Sequence, residues 1–131
     1  MIFKNLPKDF IWGTATAAHQ VEGNNTNSDF WHLEHTKDTT FAEPSGIACD
    51  QWNKYEEDID IMADHSIQAY RLSVEWARIE TSEGEFSQEA IDHYKKGSRL
   101  LSKEGFENLC NLATLYFTTV VYCKRRLGKS R

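Results

Sequence analysis

Between Asp50 and Trp76 the spacing of the apolar residues changes, and that change limits the folds open to this chain. Trp52, Tyr55, Ile59 and Met62 recur at three and four residues, with Glu56, Glu57, Asp58 and Asp60 between them, which is the pattern of a helix with one apolar face. From Ala69 onward Tyr70, Leu72, Val74 and Trp76 alternate with Arg71, Ser73 and Glu75, which is the period of a strand. The sequence then predicts a second helix from Ser87 to Lys103. Ser87 serves as its N-cap, Ala90, Ile91, Tyr94, Leu100 and Leu101 form its apolar face, and Gly105 is its stop. A further strand is predicted over Leu109 to Tyr122. Upstream, Phe10 to Ala18 is an apolar run that suits a buried strand leading into a tight turn. Strand, helix, strand, helix, strand implies an α/β fold with a parallel sheet, and places the chemistry in the loops that follow the strands.

Between the first strand and the first helix, Asn24 to Asp50 is rich in Asn, Thr, Ser, Asp and His. It reads as a long connection carrying Trp31 on a short helical turn. Connections of this length in compact domains are often functional.

With 131 residues and 40% hydrophobic content, the chain can form a single core. The formal charge of -5, with both signs mixed through most of the length, gives no reason to expect nucleic acid or an anionic membrane as a partner. The first ten residues lack the apolar run of a signal peptide, so the expected location is cytoplasmic. Cys49, Cys110 and Cys123 have none of the paired spacing of a zinc or redox site. The five histidines, His19, His32, His35, His65 and His93, show no ligand pattern, so no metal is expected. Asn24-Asn25-Thr26 has the form of a glycosylation triplet, but without an export signal it reads as loop.

Three segments carry a family resemblance. Phe10-Ile-Trp-Gly-Thr-Ala-Thr-Ala-Ala-His-Gln-Val-Glu-Gly23, Trp52-Asn-Lys-Tyr-Glu-Glu-Asp-Ile59 and Ala69-Tyr-Arg-Leu-Ser-Val-Glu-Trp-Ala-Arg-Ile79 resemble, in order and spacing, the first third of family 1 glycoside hydrolases. This is the β-glucosidase and 6-phospho-β-glucosidase family, whose (β/α)₈ TIM barrel needs about 250 residues or more. The resemblance therefore implies an incomplete barrel of about two to three β/α units. Residues 1–107 make up the family-like part and 108–131 a divergent tail.

The resemblance also assigns roles. Gln20 matches the glutamine whose amide donates to one sugar hydroxyl and accepts from another. Arg71 matches the arginine that keeps the nucleophilic carboxylate ionised and oriented. Glu22 matches a structural carboxylate at the barrel end. Read without the family, Gln20 is a satisfied polar group at a turn, and Arg71 a buried cation paired with Glu75 or Asp58. Trp12, Trp31, Trp52 and Trp76 read as core.

A retaining glycosidase uses two carboxylates about 5 to 5.5 Å apart. The family draws them from an Asn-Glu-Pro segment and a Glu-Asn-Gly segment, and neither occurs in this chain. Glu22 with Glu75 is the one pair that neighbouring strand ends could supply, although nothing in the sequence marks Glu75 as perturbed. No catalytic residue is therefore assigned, and no cofactor is expected.

The tail departs from the family's third strand and lacks its histidine. Leu109 to Phe117, written as CTT TGT AAC CTT GCA ACA CTT TAC TTT and read one base later, gives Phe-Val-Thr-Leu-Gln-His-Phe-Thr. The same offset applied to Cys123 to Lys129 gives Ala-Lys-Glu-Gly-Trp-Glu. Both products resemble the family, so the tail reads as out-of-frame translation. On that reading the basic cluster of Lys124, Arg125, Arg126, Lys129 and Arg131, and the apolar run before it, carry no function. Two expectations follow. The first is a retaining β-glycoside hydrolase by ancestry, acting on a β-glycoside or 6-phospho-β-glycoside and inactive as this chain alone. The alternative is a non-catalytic carbohydrate-binding or interaction fragment, or a pseudogene product.

Overall fold

The computed structural model describes residues 6–113 and 119–122, with side chains described as far as Phe106. A short strand, β1 (Gly13–Ala15), leads into one helical turn, α1 (Ala18–Val21), and the long connection carries α2 (Asp29–Glu34). The first long helix, α3 (Gln51–Asp64), runs into β2 (Ala69–Glu75). Then come a helical turn α4 (Trp76–Ile79), a small antiparallel hairpin of β3 (Glu80–Ser82) and β4 (Glu85–Phe86), and the second long helix α5 (Gln88–Lys103). Two more strands follow, β5 (Glu107–Ala113) and β6 (Thr119–Tyr122). The sheet order is β1-β2-β5-β6. Both β1 and β5 pair with β2 in parallel, with Ala15 and Leu109 each in register with Arg71.

Local chemistry explains the long elements. The Ser87 hydroxyl accepts from the Ala90 amide and caps α5, as its sequence predicts. At the other end Gly105 takes φ +85°, which a residue with a Cβ tolerates poorly, and the Phe106 amide turns back to the Leu101 carbonyl at 3.0 Å. α3 and α5 lay their apolar stripes on one face of β2. There Ile59, Tyr70, Leu101 and Phe106 form the buried centre, with Tyr55, Met62, Ile67 and Leu100 around it. Leu101 is the most completely enclosed large side chain among the described residues.

Two expectations require correction. Phe10 to Ala18 is not a buried strand: within it only Gly13–Ala15 pairs in the sheet, and Phe10, Ile11 and Trp12 are between 43% and 48% exposed. Burial of a parallel strand needs cover on both faces and partners on both edges, whereas β1 is paired in the sheet with β2 alone. The strand predicted over Leu109 to Tyr122 is two strands, and β6 returns antiparallel to β5, with Leu109 opposite Tyr122 and Leu112 opposite Thr119. An exposed strand edge is a row of unmet backbone donors and acceptors, and the return of the chain satisfies them on β5. Residues 114–118 of the predicted strand, Cys123 and the basic cluster of the tail lie outside the described residues. Among the described residues no helix is long and apolar enough to cross a membrane.

Candidate functional site

β2 sorts its side chains by face. Tyr70 and Val74 are buried towards the helices, while Arg71, on the opposite pleat, is exposed. The turn after β1 is tied to this point of β2, because the Thr16 amide donates to the Arg71 carbonyl at 3.0 Å. That turn leads into α1, where Gln20 is also exposed. Gln20 therefore lies just beyond the carboxyl end of β1, while Arg71, in the first half of β2, stands level with Ala15 at that end. The salt bridges among the described residues do not include Arg71. The proposed partners are engaged elsewhere: Asp58 accepts from Gln51 at 2.9 Å, and Glu75 accepts from the Ala77 amide at 3.4 Å. The reading of Arg71 as a buried ion-paired cation is thus corrected.

Glu22 is buried just beyond Gln20. Arg78 Nε donates to Glu22 Oε2 at 3.0 Å, and the Tyr94 hydroxyl donates to Glu22 Oε1 at 2.7 Å. The same Nε reaches Asn25 Oδ1 at 2.7 Å, and Arg78 also donates to the Gly23 carbonyl. The guanidinium lies 4.1 Å from the centre of the Trp52 ring, and His93 stacks on Trp52 at 3.8 Å. A side chain at position 23 is ruled out: φ is +83°, and a Cβ would come within 2.1 Å of the Ile47 carbonyl oxygen. This network joins the turn after β1, the end of β2 and both long helices.

Burial pushes the Glu22 carboxyl up, and Tyr94, Arg78 and Asn25 pull it part of the way back. Glu75, 5% exposed, is pushed up to about 7 by burial, with the neighbouring Glu22 charge adding to the shift. The expectation that nothing marks Glu75 as perturbed is therefore corrected: the desolvation comes from tertiary packing. Tyr94 is also raised, by burial and by Glu22.

A second polar cluster fastens the long connection. His19 Nε2 lies 3.0 Å from Glu34 Oε2, and Glu34 accepts from the Ser45 amide at 2.9 Å and the Ser45 hydroxyl at 2.8 Å. Burial pushes Glu34 up, but the Ser45 and His19 hydrogen bonds hold it below the ordinary carboxylate value. The described residues contain no group of three or more side chains suited to holding a metal ion.

Arg78 and Tyr94 are the residues that sequence reasoning missed. Arg78 lies inside the quoted segment ending at Ile79, and an arginine in an otherwise apolar Trp-Ala-Arg-Ile stretch was the available signal. Tyr94 was counted only as part of the apolar face of its helix.

The glycosyl hydrolase family 1 model matches residues 2–120. This chain belongs to glycosyl hydrolase family 1. Beta-glucosidase A of Acetivibrio thermocellus is 41% identical over 107 residues, which are 76% of this chain and 24% of that family 1 protein. The crystal structure of beta-glycosidase BGL167 superposes with a TM-score of 0.76 at 50% identity, covering 88% of this chain and 27% of that one. The beta-glycosidase from Pyrococcus horikoshii gives a TM-score of 0.75 at 35% identity, over 86% of this chain and 27% of its own. The chain thus spans about a quarter of the length of the family 1 relatives it matches, and its architecture is that of a part of their barrel.

Proposed function

We propose that this chain supplies the first β/α units of a retaining β-glycosidase. In this reading Gln20 contacts the non-reducing sugar, Arg71 orients the nucleophilic carboxylate, and Glu22 anchors the turn that carries Gln20. The observation that carries the proposal is that exposed Arg71 stands on β2 level with the last residue of β1, and exposed Gln20 lies in the helical turn that follows β1, the turn being tied to Arg71 through Thr16.

The chemistry available to these residues is binding and orientation. A glutamine amide presents a donor and an acceptor to neighbouring hydroxyls. A guanidinium near a carboxylate favours its ionised form and fixes its direction. Neither residue takes a proton from water or attacks an anomeric carbon. Hydrolysis therefore waits on the acid/base and nucleophile of the Asn-Glu-Pro and Glu-Asn-Gly segments, which this sequence lacks. The substrate class is a β-glycoside, with an unmodified or a 6-phosphorylated sugar.

The test is hydrolysis of a chromogenic β-glucoside by the purified chain and by its Gln20→Ala variant. The expected result is no turnover above buffer for either protein. Turnover by the wild-type chain that disappears in Gln20→Ala would overturn the proposal that catalysis requires carboxylates from outside this sequence.

A further inference from the structure

Gln20, the proposed sugar contact, rides on α1, a helix of a single turn. A helix this short does not hold itself in water, because the first turn fixes more dihedral angles than its hydrogen bonds offset. Its N-cap residue, Ala17, adds no side-chain hydrogen bond. The direction in which Gln20 points is therefore set by what grips the residues around it. Two grips act just outside the helix: the Thr16 amide is tied to the Arg71 carbonyl, and Glu22 to Arg78 and Tyr94. Within α1, Ala18 is buried but offers only a methyl group.

The remaining grip is on His19, and it comes from the long connection. His19 Nε2 lies 3.0 Å from Glu34 Oε2 on α2. Glu34 titrates below the ordinary carboxylate value, so near neutral pH it only accepts, and Nε2 carries the proton between them. The other ring nitrogen, Nδ1, is buried without a hydrogen-bond partner among the described residues, which leaves Glu34 as the polar tie of the ring. Two rings of the same connection flank the imidazole, Phe30 at 5.2 Å and Phe41 at 6.4 Å between centroids.

Glu34 is itself fixed from farther along the connection. Its side chain is 1% exposed, and the amide and hydroxyl of Ser45 both donate to it. Beside Ser45, the Gly46 carbonyl accepts from the Asn24 amide at 2.7 Å, so the connection closes back onto the chain just beyond α1. Of the hydrogen-bond donors to Glu34 among the described residues, His19 alone comes from outside the connection. Ser45 would suffice if the carboxylate served only to shape the connection. We infer that the long connection is a strap that aims Gln20, with His19, Glu34 and Ser45 as its positioning residues. The inference rests on the reading of Gln20 as the sugar contact. None of the three belongs to the buried centre of Ile59, Tyr70, Leu101 and Phe106, so the strap can be loosened while the core stays packed.

The test is NMR relaxation of backbone amides in the isotope-labelled full chain, made without sugar, so that its outcome does not depend on whether Gln20 binds one. In the wild-type chain the order parameters of residues 18–22 should match those of β2, at about 0.85. His19→Phe keeps a ring between Phe30 and Phe41 but donates nothing to Glu34, and should lower residues 18–22 to below about 0.6 while β2 is unchanged. His19→Gln, whose side-chain amide can donate in place of the imidazole, should restore the wild-type values. If His19→Phe loses the wild-type melting transition, Ser45→Ala, which takes one donor from Glu34 at the far end of the strap, replaces it with the same expectation. Residues 18–22 that are already mobile in the wild-type chain, or that stay rigid in the folded variant, overturn the inference. So do a loss of order spread equally over β2 and a His19→Gln chain as mobile as His19→Phe.

Discussion

The Tyr94 hydroxyl donates to Glu22 at 2.7 Å and accepts from the Glu75 amide at 3.0 Å, so one phenol on α5 joins the turn after β1 to the end of β2. Tyr94→Phe removes the donor from a buried carboxylate and the acceptor from a backbone amide, while the ring stays in place against Trp52. Leaving such groups unmet costs about 1–3 kcal/mol each. The expected outcome is a loss of stability in that range or somewhat above it, read from the midpoint of urea denaturation.

Glu75 sets a pH dependence. Its folded value of about 7 lies above the ordinary 4.5, so between these limits the folded chain holds more protons than the unfolded one. Stability is therefore expected to fall as pH rises from about 4.5 to about 7. Glu22, also raised, acts in the same direction, while His93, lowered mainly by burial, acts in the opposite one. Comparison with Glu75→Gln isolates the contribution: the variant should be more stable than wild type at pH 8, by up to about 3 kcal/mol, and equal to it near pH 4. Melting curves across this range check the sign. A wild-type advantage at pH 8 would contradict it.

Arg71 is exposed and absent from the ion pairs among the described residues. Arg71→Met should therefore leave stability within about 0.5 kcal/mol of wild type. Arg78→Met, by contrast, leaves buried Glu22 without its cation, and should cost about 3–5 kcal/mol. Equal effects of the two substitutions in thermal melts would contradict this assignment.

Leu101 is 2% exposed and lies against Ile59, Tyr70 and Phe106. Leu101→Ala should cost about 2–5 kcal/mol, through lost burial and the cavity it leaves. Circular dichroism under denaturant provides the measurement.

The tail carries a prediction about the coding DNA. Resequencing from the codon for Asp92 onward is expected to reveal the one-base offset that turns Leu109 to Phe117 into Phe-Val-Thr-Leu-Gln-His-Phe-Thr. Confirmation of the frame that encodes Cys110 and Cys123 would sink the out-of-frame reading.

Much of the fold was legible because its signals are local. The spacing of Trp52, Ile59 and Met62, the alternation through Tyr70 and Val74, the Ser87 cap and the Gly105 stop each act within a few residues, and each element formed where its pattern lay. Gln20, Glu22 and Arg71 were singled out by the family motifs alone, since the local patterns gave them no role beyond a turn and an ion pair. What the sequence could not determine is which groups meet across the chain. Tyr94 lies 72 residues from Glu22 and Arg78 lies 56 from it, and no periodicity links such positions. Only tertiary packing brings them together, and it alone removes water from Glu75 to move its titration towards neutrality. The exposure of β1 and the antiparallel return of β6 were likewise decided by tertiary structure, because burial of a strand and the pairing of its edge depend on what lies beside it in the sheet.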